Sequence, residues 1–282
     1  MRKIFSFVIS IIIVTGIALV PSCDIVEEPY LVPVGGNDTT GPEEHVRKVL
    51  VEDFTGQKCP NCPEAAEIGH NLQVTYGGQV VIIAIHSGNF AIPNTTGDFT
   101  ADFRTSEGTE LDQFFGIYQY GYPMGMINRT DYSGFPVVLK DNWQSAVEVQ
   151  LALDPQADIN ITNTYNSGTH KLDCSLESEF LEDLDGTYNI CVFIIESGII
   201  SPQQSEGGVI ANYEHNHMLR TSMNGTWGDP VGSDGQAVSG SKLTNSYSFT
   251  LPPVWNAEKC AVIAYIYNTE TLEVLQAEEK AF

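Results

Sequence analysis

The chain has 282 residues, 42% of them hydrophobic, and its 36 acidic against 13 basic side chains give a net charge of −23. That apolar content is ample for a buried core, while the charge excludes nucleic acid and anionic membrane surfaces as partners, since both would repel the chain.

The opening stretch "MRKIFSFVISIIIVTGIALVPSC" sets Arg2 and Lys3 before an apolar run that ends in small and turn residues ahead of Cys23. Residues 1–22 read as a signal peptide and not as a fold element. "VPSC" resembles a bacterial lipobox, which implies acylation of Cys23 and a bilayer anchor that tethers without spanning. No later segment reaches the ~20 apolar residues that a spanning helix needs. Residues 23–45 mix acids, Pro and Gly and read as a flexible tether. Asp24, Glu27 and Glu28 resemble the export signals of surface-displayed lipoproteins. The expected location is the outer membrane, on its periplasmic or cell-surface side, in an oxidising compartment where disulfides persist. Apart from Cys23 there are five cysteines, an odd number, so at least one has no intramolecular partner.

Residues 46–153 alternate between strand and helix patterns. "HVRKVLVEDFTG" reads as a strand. "PEAAEIGHNLQVTYGG" has helical spacing through Ala65, Ile68, Leu72 and Tyr76, with Pro63 suited to its first turn. "QVVIIAIHSG" is a β-branched run typical of a strand buried on both faces. A loop over about 89–108, a short helix around Glu110–Ile117, two strands in "GYPMGMINRT" and "FPVVLK", and a closing helix with Asp141 as its expected N-cap complete the order.

Beyond residue 153 the period changes to two. "ADINITN" and "KLDCSLESEF" place alternate apolar residues on one face, and "YNICVFIIES", "NSYSFTLP" and "KCAVIAYIYN" continue the series. Residues 154–282 therefore read as an antiparallel, immunoglobulin-like β-sandwich, with long loops after Ser201 suited to a surface ligand. Cys174 and Cys191 flank a predicted hairpin symmetrically, so a disulfide between them is an expectation, with Cys260 as the leftover thiol.

The chemistry concentrates in "DFTGQKCPNCPEAAEIG". A CxxC at a helix start puts its first cysteine near unsatisfied N–H groups and the positive dipole end, which favours the thiolate. Lys58 adds a positive charge beside it. Cys59 is the expected nucleophile and Cys62 the resolving thiol, with protein thiols or disulfides of the envelope as partners and no cofactor. A structural disulfide in a borrowed scaffold is the rival reading. Tetrahedral zinc would need two further ligands, and no second CxxC or close Cys/His pair follows, so no metal is assigned. His86 ends a central strand and is a candidate neighbour of Cys59, although a surface histidine capping the loop fits the same position. His215 and His217 in "YEHNHMLR" read as packing residues.

"VEDFTGQKCPNC" resembles the thioredoxin active-site run, with Asp53 and Phe54 preceding Cys59 at the family's spacing. The resemblance implies a thioredoxin-like fold over residues 46–153, proton transfer at Cys62 by Asp53, and a cis proline opposite the CxxC at Pro123. Lys58 replaces the usual aromatic residue, and the dipeptide Pro60-Asn61 leaves the redox direction open. Over the whole chain, the lipobox, "IAIHSGNFA", "GYPMGMINR", "YEHNHMLR" and "GTWGDPVG" together resemble the twenty-eight-kilodalton outer-membrane protein (Omp) family. That implies an anchored outer-membrane lipoprotein and leaves its activity open, with a binding or adhesion lipoprotein as the alternative.

Overall fold

A computed structural model describes residues 45–232 and 234–282. The expected signal segment, Cys23 and nearly all of the tether lie outside the described residues. The apolar runs become β1 (Val49–Thr55) and β2 (Val80–His86), both buried along their whole length and paired in parallel from Val49 opposite Val80 to Thr55 opposite His86. Parallel neighbours need a crossover, and α1 (Cys62–Tyr76) supplies it, with Pro63 in the first turn where its missing N–H costs nothing.

After the short α2 (Gly88–Ala91), α3 (Ser106–Phe115) starts earlier than its apolar spacing suggested, because Thr105 caps it: Gly108 N–H donates to Thr105 Oγ1 at 2.9 Å. β3 (Met124–Ile127) runs antiparallel to β1, and β4 (Val137–Val138) antiparallel to β3. α4 (Trp143–Leu151) closes this part. Asn142, not Asp141, stands at its N-cap, because a 3-10 turn over Lys140–Asn142 precedes the helix and Asp141 pairs with Lys140.

The remaining elements are strands: β5 (Ala157–Asn166), β6 (Lys171–Phe180), β7 (Leu184–Glu196), β8 (Ile199–Ser205), β9 (Gly208–His215), β10 (Met218–Ser222), β11 (Asp229–Pro230), β12 (Gln236–Ala237), β13 (Lys242–Thr250), β14 (Cys260–Asn268) and β15 (Val274–Ala281). The fold is thus a mixed α+β arrangement dominated by strands. One sheet runs β15-β14-β7-β10-β2-β1-β3-β4, with β11 and β12 also pairing β7; β13-β6-β5 form a second sheet and β8-β9 a separate hairpin.

The expected boundary at residue 153 does not interrupt the large sheet, because β10 lies beside β2 and carries it on into β7, β14 and β15. The described residues form one compact unit. Their central core mixes both segments: Leu50, Phe54, Ile83 and Leu111 pack with Phe193, Ile263, Tyr265 and Ala277. The far edge also returns to the first strand. Lys48 N–H donates to Gln276 Oε1 at 2.7 Å, and Val274 N–H donates to Asn128 O at 2.8 Å. A second core lies between β7-β14 and the β13-β6-β5 sheet, and a third beneath α1 and α4.

The expected Cys174–Cys191 disulfide is not formed. β6 pairs with β5 and β13, whereas β7 pairs with β10 and β14, so the two strands do not make a hairpin. Cys174 faces the core between the sheets and Cys191 the central core on the other side of β7. Both thiols are free, and burial pushes them up to about 11 and about 12, which leaves them inert.

A buried ion pair fastens the central core. Arg129 Nε donates to Glu52 Oε2 at 2.8 Å and Nη2 to Glu52 Oε1 at 2.7 Å, and both side chains are 0% exposed. Nη2 also donates to the Tyr265 hydroxyl at 2.8 Å, and the guanidinium lies 5.0 Å from the Tyr265 ring centroid and 5.3 Å from that of Phe115. Removing one partner strands the other charge in a dry core. Arg129→Leu is therefore expected to lower unfolding free energy by about 3–5 kcal/mol, read from urea denaturation, and the Glu52→Leu/Arg129→Leu double variant to recover most of that loss.

Candidate functional site

β1 ends by delivering Thr55 into a tight loop that must pass under α2. A side chain on Gly56 would bring its Cβ to 2.6 Å from the carbonyl carbon of Phe90, so only glycine fits there. The loop is then pinned: Lys58 N–H donates to Phe90 O and Cys59 N–H to Gly56 O, each at 3.0 Å, and the buried Gln57 amide donates to Ala101 O at 2.7 Å. This places Cys59 just before α1 and Cys62 at its first residue, 5.4 Å apart between Cα atoms and joined by a disulfide.

The disulfide is covered. Cys59 is 0% exposed and Cys62 2%. The cover is the β8–β9 hairpin, where Gln203 Nε2 donates to Cys59 O at 3.0 Å and Gly56 O at 3.2 Å, while Gln204 N–H donates to Gln57 O at 2.8 Å. Nothing in the sequence marks Gln203 for this role, since an amide in a β-hairpin becomes a cap only once the fold brings the loop beneath it.

Asp53 lies on the face of β1 turned toward α1. It is 3% exposed, its carboxyl accepts no hydrogen bond from any described side chain, and Oδ1 is buried without a partner. Burial in a site without a compensating charge raises its pKa to about 7. A small cavity beside it is lined by Asp53, Thr55, Cys62, His86, Gln203 and His215. The structure thus brings together Asp53, Cys62 and His86. His86 is buried and not a surface cap: its ring centroid is 5.5 Å from His215 and 5.2 Å from Phe103. Burial, and then His215, lowers the His86 pKa to about 3, and burial lowers His215 and His217 to about 4.

The Tyr122–Pro123 bond is cis and leads directly into β3, whose Met124 pairs with Phe54 of β1. Tyr122 packs edge-on against Phe90, 6.2 Å between centroids, and Phe90 O accepts from Lys58, which links the proline segment to the CxxC loop. Lys58 is half-buried and contributes its backbone N–H there. Glu64 in the first turn of α1 accepts from Lys140 Nζ at 2.9 Å.

Tyr213, His215 and His217 complete the surroundings of Asp53, and a local reading of "YEHNHMLR" as sandwich packing misses this. His217 O accepts from Ala84 N–H at 2.8 Å, which draws the segment onto β2. Its signal lay in two alternate histidines, one ending β9 and one in the short link to β10, which enters the large sheet.

The sequence model of the outer membrane protein Omp28 family matches residues 111–282. The chain belongs to the Omp28 family. It is accordingly an outer-membrane protein, and its CxxC lies outside the matched residues. Among curated proteins none matches this chain. Among solved structures, HBP35 of Porphyromonas gingivalis superposes with a TM-score of 0.61 at 13% identity over 85% of this chain and 76% of that one, a likeness of fold alone. A protein of Agrobacterium tumefaciens (16% identity, 84% of this chain, 95% of that chain, TM-score 0.49) and a domain of the outer membrane lipoprotein Omp28 of Porphyromonas gingivalis (17%, 45%, 88%, 0.30) are more distant. Among the described residues no helix is long and apolar enough to cross a membrane.

The buried titratable groups make stability depend on pH in two opposite directions. Asp53 holds its proton up to about pH 7 in the folded state and loses it near 3.8 when unfolded, so its contribution falls as pH rises between those values. The three histidines favour their neutral forms when folded, so their contribution falls as pH drops below ~6.5. The unfolding free energy of Asp53→Asn relative to the parent is expected to rise by about 4 kcal/mol between pH 4 and pH 8, measured by urea denaturation across that range. A constant difference would mean that Asp53 ionises normally in the fold.

Proposed function

We propose that this Omp28-family protein is a lipid-anchored envelope protein whose Cys59–Cys62 pair carries out thiol–disulfide exchange. Support comes chiefly from Asp53. An unpaired carboxyl buried on the wall it shares with Cys62 costs stability and staples nothing, and such groups cluster where a proton must move. In the reduced state the Cys59 thiolate attacks a substrate disulfide, forming a mixed disulfide and releasing one substrate thiolate. Cys62 then passes its proton to the Asp53 carboxylate and attacks Cys59, closing the internal disulfide and releasing the second substrate thiolate. The protein is oxidised by two electrons and the substrate reduced; the reverse sequence oxidises a dithiol. Pro123 shapes the substrate groove, and Lys58 and His86 flank the pair.

The parallel β1-α1-β2 crossover, antiparallel β3 and β4 and the cis proline before β3 support a thioredoxin-like unit over residues 46–153. The two sheets facing across the second core support an immunoglobulin-like sandwich over 154–282. Acylation at Cys23 supplies the anchor in this reading.

A second reading is favoured by one observation: Cys59 is fully buried beneath Gln203. On that reading the disulfide is a staple in a surface binding or adhesion lipoprotein whose ligand meets the sandwich. A glutathione-buffer titration of the full-length protein, with alkylation and mass analysis, separates the two. Exchange requires a potential between about −120 and −270 mV, whereas a value below about −300 mV marks a staple. Asp53→Asn is expected to slow closure of the disulfide about a hundredfold, in the range of general acid–base contributions, and Gln203→Ala to speed its reduction by glutathione. An unchanged rate in both variants would overturn the assigned roles.

A further inference from the structure

A cleft of about 340 Å3 lies between α1 and the segment joining β9 to β10, beyond the disulfide and separate from the substrate groove at Pro123. That volume is in the range of small-molecule sites, roughly 300–1,000 Å3. Ala66 and Gly69 of α1 and Ile82 of β2 give it apolar walls, and Trp143 and Tyr213 give it aromatic ones. Its acidic lining comprises Glu67 on α1, Glu214 on β9 and, at the base, Asp53, which gives up its proton only above about pH 7, with no lysine or arginine among the lining residues. His217, the other group at the base, is neutral above about pH 4, and His70 stands on the rim.

We propose that this cleft binds a small organic cation with an aromatic body, its ammonium group paired with Asp53 and the two glutamates and its ring set against Tyr213. Three independent features carry this. The Asp53 carboxyl accepts no hydrogen bond from any described side chain, so an N–H donor satisfies a group that is costly to leave bare. A lining that carries carboxylates and no lysine or arginine disfavours anions and concentrates cations, as does a chain charge of −23. Aromatic faces beside acids are the surroundings in which an alkylammonium gains both cation–π and charge-assisted contacts. Binding needs no bond to either sulfur, so the site stands whether or not the disulfide is exchanged.

Tryptamine is a suitable probe, with tryptophol and indole-3-propionate as its neutral and anionic counterparts. Isothermal titration at pH 8, where Asp53 is ionised, into the full-length protein in uncharged detergent is expected to give saturable one-site binding of tryptamine, at least about tenfold tighter than tryptophol, and none of the propionate. Glu67→Gln/Glu214→Gln should weaken tryptamine about tenfold, both side chains being exposed and uninvolved in the core. Ala66→Trp should fill the cleft and abolish binding, with circular dichroism confirming the fold; should that variant misfold, the glutamate pair decides alone. No saturation with tryptamine up to about 5 mM, equal binding of the three probes, or indifference to the glutamate substitutions would each overturn the proposal.

Discussion

The Glu52–Arg129 pair is the contact around which the two segments of the chain are organised. Glu52 sits mid-strand in β1, flanked by Leu50 and Phe54 on the same face, and points into the central core where a lone carboxylate would be prohibitive. Arg129 answers it from just beyond β3 and reaches Tyr265 of β14 with the same guanidinium. Asn128 and Arg129 both adopt left-handed φ, 48° and 53°, a conformation that side chains other than glycine seldom take without compensation. The compensation is visible: Asn128 Oδ1 accepts from Leu50 N–H, its carbonyl accepts from Val274 N–H, and Arg129 makes the bidentate pair. One turn thus joins β1, β3, β14 and β15.

Because that core is shared, the helix-bearing segment and the all-strand segment cannot be separated cleanly, and this bears directly on the disulfide. The β8–β9 hairpin belongs in sequence to the second segment, yet its Gln203 lies on the CxxC loop of the first. Access to Cys59 is therefore set by residues about 140 positions away in sequence, with separations of 144 and 147 for the two Gln203 contacts. The same return of the chain places Tyr213, His215 and His217 around Asp53 and creates both the small cavity at Cys62 and the larger acid-lined cleft. A buried acid, buried neutral histidines and a covered disulfide are each costly or inert alone. Gathered at the carboxyl end of β1 and β2, they make a site in which proton occupancy and access are both under control of the fold.

Much of this was legible locally. Continuous β-branched runs marked β1 and β2, since only a strand buried on both faces tolerates apolar residues at every position. Helical spacing and Pro63 marked α1, and alternation marked β5 and β6. The CxxC stood out because its chemistry depends on a short spacing, and Asp53 and Pro123 through the resemblance to the thioredoxin active-site run. What failed was the pairing of strands. Cys174 and Cys191 looked like hairpin partners because they flank a turn symmetrically, but β6 gains more by pairing β5 and β13, and β7 by pairing β14 through nine residue pairs, from Cys260 opposite Glu196 to Asn268 opposite Tyr188. Such choices depend on which faces are apolar in distant strands, and local period says nothing of that.

The sequence by itself therefore determined the element types, the position of the cysteine pair at a helix start and the acid six residues before Cys59, because propensity, capping and residue reactivity act over a few positions. Only the tertiary structure decided that the sheet runs unbroken from β4 to β15, that Gln203 covers the disulfide and that Asp53 Oδ1 is buried without a hydrogen-bond partner among the described residues. Each of these is a burial effect, and burial is a property of the whole packed chain: a carboxyl in solvent titrates near 4, and the same carboxyl enclosed by α1 and β9 holds its proton to about pH 7.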